Sequence, residues 1–307
     1  MKKGIHPEVH PITVIFTNGE QREMLSTYGK PDEMVKSAVL PVRSGCKYQT
    51  VGYVAAGPAE RDRVSCLHSF YGVVSLADAP DSAVDLLVVV GGDGFMLHSL
   101  HNYVVGPGRS VPVYGVKHGS VGFLLNHCVD GSLPHKLENA VATELPLLRM
   151  EAKDVYGCTH SAIAVNEVSL FRGTHQAAKL RIKINGKVAM GELVSDGVIV
   201  SSPAGSTAYN FSAGGPILPF NSNIVCLTAI NSFRPRRWRG ALLPNDSLVE
   251  VEVLAPETRC VSAVADYTEF RNISSIKIKQ DSSTKIVLMF DPEHGLEERT
   301  IAEQFLA

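Results

Sequence analysis

The sequence has no CxxC pair, no GxxxxGK[ST] loop, no internal repeat and no apolar run long enough to span a bilayer. Its six cysteines, Cys46, Cys66, Cys128, Cys158, Cys226 and Cys260, are scattered through 307 residues. That spacing suits reduced thiols and argues against a zinc site or a disulfide framework. The N-terminus starts Met1-Lys2-Lys3 but continues through His6, Pro7 and Pro11 instead of an apolar h-region, so secretion is not expected. Charge is nearly balanced, with a formal net charge of −2 and a pI near 6.6, which removes any electrostatic case for binding nucleic acid or an anionic membrane. The basic cluster Arg234, Arg236, Arg237 and Arg239 around Trp238 reads as a solvated or interface loop. What remains is a cytoplasmic globular protein, with enough apolar content (45%) for one large core or two ordinary ones.

Against that background one stretch stands out, Asp85 to Leu97, DLLVVVGGDGFML. A valine-rich run bounded by turn residues predicts a strand buried on both faces, as central parallel strands are. The helix after it should start at Gly94 or Phe95. Glycines around Asp93 let the backbone turn sharply, and the free N–H groups of the following helix favour an anion. A carboxylate beside phosphate is unfavourable unless it binds a metal or takes up a proton, and both options point to phosphoryl transfer. The same four residues also suit an ordinary strand-to-helix turn.

The chain before and after extends the pattern. Up to Tyr48 the signal is weak, with one expected strand at Ile12 to Phe16. From Thr50 a strand, a helix over Ala59 to Tyr71, the Asp85 strand, a helix over Phe95 to Tyr103 and a strand at Val111 to Val116 alternate, which implies a parallel sheet. A second glycine-rich loop, Gly115 to Leu124, should lie beside the first at the carboxyl ends of neighbouring strands, where ligands bind in open α/β sheets. Beyond Pro146 the pattern becomes antiparallel: an alternating stretch over Ser161 to Phe171, in which Asn166-Glu167 is a polar pair at the end of the apolar strand Ile163 to Val165, then Lys179 to Ile184 and Lys187 to Leu193 joined at Asn185-Gly186, a hairpin signal. Further strands are expected at Gly197 to Ser201, Ile224 to Ala229, Ser247 to Val253, Ile273 to Lys279 and Lys285 to Phe290, and a helix over Pro292 to Leu306. Ser195 to Leu218, SDGVIVSSPAGSTAYNFSAGGPIL, is dense in glycine and small hydroxyl residues, which leave room and partners for a flat ligand. His98 and His101 lie three apart on one helix face but have no third metal ligand nearby.

GGDG, a downstream glycine-rich loop ending in Gly122-Phe123-Leu124, the Asn166-Glu167 pair and the SDG…PAGSTAY…GGP block, in that order, resemble the NAD kinase family, and the ending FDPEHGLEERTIAEQF resembles its bacterial members. The resemblance implies an α/β N-terminal domain with a parallel, Rossmann-like sheet, a β-rich C-terminal domain, and a C-terminal helix that packs back on the first. By residue number it implies an extension at 1–48, a phosphate-binding domain at 49–145 to which 292–307 returns, and an NAD-binding domain at 146–291. Asp93 looks like the catalytic residue, with Gly91, Gly92 and Gly94 forming the phosphate loop. Asn166 and Glu167 look like contacts to adenosine. Asp196, Ala204, Thr207, Ala208, Tyr209, Asn210, Phe211 and Ser212 look like the rest of the dinucleotide pocket, with Phe123 lining it.

The implied reaction moves the γ-phosphoryl of ATP to the 2′-hydroxyl of the adenosine ribose of NAD, with a divalent metal, Mg²⁺, neutralising the donor and a homodimer or homotetramer as the working unit. A lipid or sphingoid-base kinase sharing the GGDG loop and a non-catalytic dinucleotide sensor are the alternatives. Three positions depart from the family pattern: Phe95 stands where many members have threonine, Lys117-His118 replaces an asparagine-containing pair, and Ala265-Asp266-Tyr267 lacks the glycine of an Asp-Gly pair. No function is carried over to Asp266. The weak pattern up to Tyr48 predicts that a chain starting at Lys47 stays soluble and active; insoluble or inactive protein on purification and assay would place those residues in the core.

Overall fold

The computed structural model describes residues 10–15, 21–26, 34–36, 46–117, 122–127, 132–292 and 295–305. His118, Gly119, Ser120 and Val121 of the second glycine-rich loop, and Cys128, lie outside them.

The valine-rich run forms strand Leu86–Gly91, buried at every position. It pairs in parallel with Thr50–Ala55 on one side and Val113–Lys117 on the other, and Gly72–Ser75 adds a parallel edge. Short crossovers put all four carboxyl ends on one side, so Gly91 stands opposite Lys117. The sheet does not end there. Strand Ile273–Phe290, 18 residues long, runs parallel to Val113–Lys117 near its end and antiparallel to Val249–Val253 and Val141–Asp154. Ten strands of both halves thus form one sheet. A second sheet of six strands, ordered Gly240–Pro244, Ile224–Ile230, Gly197–Ser201, Glu167–Arg172, Val261–Ala265 and Thr268–Phe270, is antiparallel throughout. Alternating side chains such as Val168, Leu170, Val198 and Val200 pack against Met150, Leu180 and Val251 of the larger sheet.

The α/β first half, the β-rich second half and the returning helix Leu296–Phe305 are therefore as expected. Leu296 of that helix is buried in the same cluster as Val89 and Leu124. Asn185 and Gly186 take positive φ angles of 50° and 77°, the pairing a tight hairpin turn needs. Among the described residues of the first 48 there is a small three-stranded sheet, with His10–Ile15 at its centre.

Several boundaries differ for identifiable reasons. The expected helix over Ala59 to Tyr71 is a short α-helix, Pro58–Asp62, followed by a 3₁₀ turn, Ser65–Ser69. Val64 and Leu67 are its buried side chains and lie three apart, a repeat that 3₁₀ geometry satisfies. The helix after GGDG begins at Asp93, runs to Leu100 and widens into a π-turn, His101–Val105. The alternating stretch Ser161 to Phe171 forms two strands, Thr159–Ala164 and Glu167–Arg172, which meet at the strand end expected after Val165 and belong to different sheets. Conversely, the two strands expected after Ile273 are one, with a register shift between Asp281 and Ile286.

Gly115 shows how tightly the strands seat the loops. A Cβ there would lie 2.5 Å from Met96 Cε, 2.6 Å from Leu125 Cδ2 and 3.1 Å from the Leu124 carbonyl oxygen. Gly115→Ala should therefore cost about 1–3 kcal/mol of stability, read as a lower urea midpoint at unchanged m-value.

Candidate active site

The GGDG turn is built by the end of a buried strand meeting the start of a helix. Gly92 is the N-cap of the helix and Asp93 its first residue. The first-turn N–H groups lack intrahelical acceptors, and a Cβ at Gly92 or Gly94 would meet nothing within 4 Å, so the loop backbone is open to a ligand. The Asp93 side chain turns toward the second glycine-rich loop: Phe123 N donates to Oδ2 at 2.6 Å and Leu124 N to Oδ1 at 2.9 Å. Each oxygen keeps lone-pair capacity for one further partner.

That second loop is held from below. Arg299, on the C-terminal helix, donates Nη1 to the carbonyls of Phe123 (2.7 Å) and Leu125 (2.5 Å) and Nη2 to Asn126 Oδ1 (3.1 Å), with its guanidinium over the Phe290 ring. Burial lowers the Arg299 pKa, while Asp291 and Asp93 oppose that shift. Lys117 is buried at the strand end beside Gly91, with Nζ 3.4 Å from His127 Nε2. It is a basic side chain at the edge of the phosphate loop.

A second group of residues gathers around the break at Asn166. Asp266 Oδ1 accepts from Asn166 N (2.9 Å) and Glu167 N (3.3 Å), and Oδ2 accepts from Val165 N (2.7 Å). Ser202 N donates to the Asn166 carbonyl at 2.9 Å and Ser202 Oγ to the Val165 carbonyl at 2.7 Å, docking the glycine- and hydroxyl-rich block on this turn. Gly205 permits the approach, since a Cβ there would lie 2.2 Å from the Asn166 carbonyl oxygen. Glu167 Oε2 is buried and has no hydrogen-bond partner. Burial, with the neighbouring Asp266 carboxylate, pushes its pKa up to about 8.

Tyr209 feels both Glu167 and Asp196: after burial, these two carboxylates raise its pKa, so the three side chains share one local field. Asp196 is fixed by Arg172 Nε at 2.5 Å and Asn231 Nδ2 at 3.0 Å. Tyr209 and Arg172 line a cavity of about 740 Å³ on this sheet with Phe171 and Arg271. Ala204 is buried, Thr207 and Ala208 are half-buried, and Phe211 and Ser212 are exposed. Asn210 is different, because its amide is consumed inside the fold: Nδ2 donates to the carbonyls of Ser206 (3.1 Å) and Pro216 (2.9 Å), and Oδ1 accepts from Thr228 Oγ1 (2.6 Å).

The two groups of residues meet over one core. Met96 and Leu100 of the GGDG helix, Leu124 and Leu125 of the second loop, and Val165 and Ala204 beside the Asn166 break share an apolar cluster, with Phe123 packed against it. Sequence reasoning missed Asp266, Arg172 and Arg299. A polar residue at a two-residue turn between short strands, and one arginine in the otherwise acidic helix LEERTIAEQF, were the available signals. Among the described residues no group of three or more metal-ligating side chains occurs.

Comparison with known proteins agrees with this geometry. Residues 165–287 match the family model for the ATP-NAD kinase C-terminal domain. The NAD kinase of Rickettsia bellii is 50% identical over 221 residues, 72% of this chain and 86% of that protein. The NAD kinase of Caulobacter vibrioides is 49% identical over 228 residues, 74% of this chain and 86% of that protein. Among solved structures, yeast NADH kinase in complex with NADH superposes with a TM-score of 0.70 at 20% identity, covering 83% of this chain and 86% of that one. An Archaeoglobus fulgidus NAD kinase in complex with ATP superposes with a TM-score of 0.67 at 20% identity, covering 83% and 98% respectively. With half of the aligned residues identical to a relative that it spans almost entirely, the chain belongs to the NAD kinase family.

Proposed function

We propose that the protein transfers the γ-phosphoryl group of ATP to the 2′-hydroxyl of the adenosine ribose of NAD, giving NADP and ADP. The observation that carries the acceptor side is the buried, unpartnered Oε2 of Glu167. An orphaned carboxyl oxygen costs free energy unless a ligand hydroxyl meets it, and a ribose supplies such hydroxyls. A lipid acceptor would leave that oxygen against hydrocarbon. Its relatives are NAD kinases, and the two solved neighbours hold NADH and ATP.

In this reading Asn166, Glu167, Asp196 and Tyr209 hold the adenosine half of NAD, and Ala204, Thr207, Ala208, Phe211, Ser212 and Phe123 shape the surrounding wall. Residues 146–291 thus serve the acceptor and residues 49–145 the donor, with 292–307 bracing the loop. Backbone N–H groups at Gly91, Gly92 and Gly94 cradle the donor phosphates, and Lys117 supplies positive charge beside them. Asp93, aimed by Phe123 N and Leu124 N, accepts the proton of the attacking hydroxyl through a remaining lone pair. A divalent cation would be carried on the donor phosphates, since Mg²⁺ binds largely through phosphate oxygens and water and needs no dedicated cage of side chains, which leaves the remaining lone-pair capacity of Asp93 to the proton. That cation supplies charge neutralisation in the transition state. A homodimer or homotetramer fits the exposed rings of Phe171, Phe211 and Phe233, and a cytoplasmic setting fits the free cysteines.

Incubation with NAD, ATP and Mg²⁺, with NADP read by an NADP-specific dehydrogenase, is the direct test; binding without turnover would favour the sensor. Asp93→Asn should lower kcat by about 10²–10⁴-fold with the KM for NAD little changed. It should also cost about 1–3 kcal/mol of stability, because the new amide turns N–H against the N–H of Phe123 or Leu124. NADP formation within about threefold of wild type would remove the general base.

Glu167 adds a pH signature. Its folded pKa of about 8 lies above the unfolded 4.5, so the folded state retains a proton that the unfolded state releases. Stability should therefore be fully present below the unfolded value and fall as pH rises through the folded one, by a few kcal/mol. Glu167→Gln should flatten this profile between pH 5 and 9 in urea titrations and raise the KM for NAD by roughly tenfold or more at pH above the folded pKa, where the carboxylate is charged and its bond to a ribose hydroxyl is charge-assisted. An unchanged KM for NAD with a raised KM for ATP would reverse the two subsites.

A further inference from the structure

Three successive backbone N–H groups, at Val165, Asn166 and Glu167, converge on the Asp266 carboxylate, whose side chain has no exposed surface. Asp266 N returns a bond to the Glu167 carbonyl at 3.1 Å. One further donor reaches this carboxylate from elsewhere: His101 Nε2, at 2.7 Å from Oδ2. His101 begins the π-turn that continues the Asp93–Leu100 helix. Its ring also meets Tyr267 edge-on at 5.1 Å, and His98, one turn earlier, lies 5.4 Å from the same ring. The turn Asp266-Tyr267 therefore clasps the helix whose first residue is Asp93 while holding the turn that carries Glu167. Tyr267 supplies the ring for this clasp.

We propose that His101 is a positioning residue: its bond to Asp266 sets the Asn166–Glu167 turn at a fixed height relative to Asp93, and so directs the phosphoryl group to the ribose hydroxyl instead of to water. The inference rests on the kinase reading above. Asp93 and His101 are eight residues apart on one helix, about 12 Å of rigid rod, so a shift at the His101 end tilts or slides the Asp93 end. Phosphoryl transfer depends chiefly on alignment of nucleophile, phosphorus and leaving oxygen, and a misplacement of about 1 Å can cost roughly 10²-fold. With the clasp released, the ribose hydroxyl leaves that line and water can occupy its place. The bond from the γ-phosphorus to the bridging oxygen then breaks, a bond to the water oxygen forms, and ADP and inorganic phosphate leave, with the water proton passing to Asp93.

The test compares wild type with His101→Leu and His101→Gln in reactions containing ATP, NAD and Mg²⁺, measuring ADP and NADP in the same tube, the KM for NAD, and thermal stability. Wild type should form the two products in equal amounts. His101→Leu should form NADP roughly tenfold more slowly, with ADP exceeding NADP by about twofold or more and the KM for NAD changed by less than about threefold. His101→Gln, whose terminal amide can donate to Asp266 Oδ2, should restore equal formation. If His101→Leu does not fold, His101→Asn, whose shorter amide falls short of Oδ2, takes its place under the same criteria. A merely structural role predicts fewer active molecules, with both products lowered together and their ratio unchanged, and that result overturns the proposal. So does excess ADP from His101→Gln equal to that from His101→Leu. Absence of NADP from wild type itself would instead bring down the kinase reading on which the inference rests.

Discussion

A single carboxylate bonded to two backbone N–H groups organises the GGDG end of this protein. Asp93 draws Phe123 N and Leu124 N toward the GGDG turn, and the loop they belong to could not bend that way without support for its carbonyls. Arg299 provides it for Phe123 and Leu125. Asn126, fully buried, completes the joint: its amide donates to the carbonyls of Gly115 and Met289, and its oxygen accepts from Asp291 N and Arg299. The Asn126 amide and the carbonyls around it are thus all paired, which is the condition under which a buried polar network holds a single geometry.

Two neighbouring acids on this turn have contrasting hydrogen-bond surroundings. Asp266 accepts from three backbone N–H groups and an imidazole. Glu167, in direct electrostatic contact with it, has an oxygen without a donor and is pushed toward the neutral form. The same turn thus holds one fully bonded acid and another with an open oxygen. Arg172 and Asn231 treat Asp196 in the manner of the first, fixing its orientation while leaving it partly accessible.

Features carried by neighbours along the chain are legible in the sequence. The valine run ending in GGDG, the Asn185-Gly186 hairpin and the switch from alternating helix and strand to short strands all express local geometry. The break at Asn166 is legible as a polar pair at a strand end, but what holds it is not, because the N–H groups it frees are satisfied by a carboxylate about a hundred residues later. Arg299 is hidden in the same way, its acceptors lying far back in the chain. Composition can mark Asn210 as part of a binding block, but only packing against Gly215 and Thr228 shows that its amide is turned inward. The continuity of the larger sheet is hidden for a related reason: Ile273 to Phe290 reads as two apolar runs around a polar stretch, Gln280 to Thr284, whose Asp281 is satisfied locally by Ser283, Thr284 and Arg149.

That long strand has a mechanical meaning. Many enzymes that join two substrates close by swinging two lobes about a flexible joint, and such a joint needs a place where few bonds cross. Here Ile273–Phe290 is laddered to Val249–Val253 at one end, to Val113–Lys117 at the other, and to Val141–Asp154 along its length. Swinging the halves apart would shear backbone hydrogen bonds in a buried sheet. Admission of substrates therefore falls to loops and side chains at the rim, while the spacing between the two binding regions is built into the backbone like the span of a calliper locked at one setting.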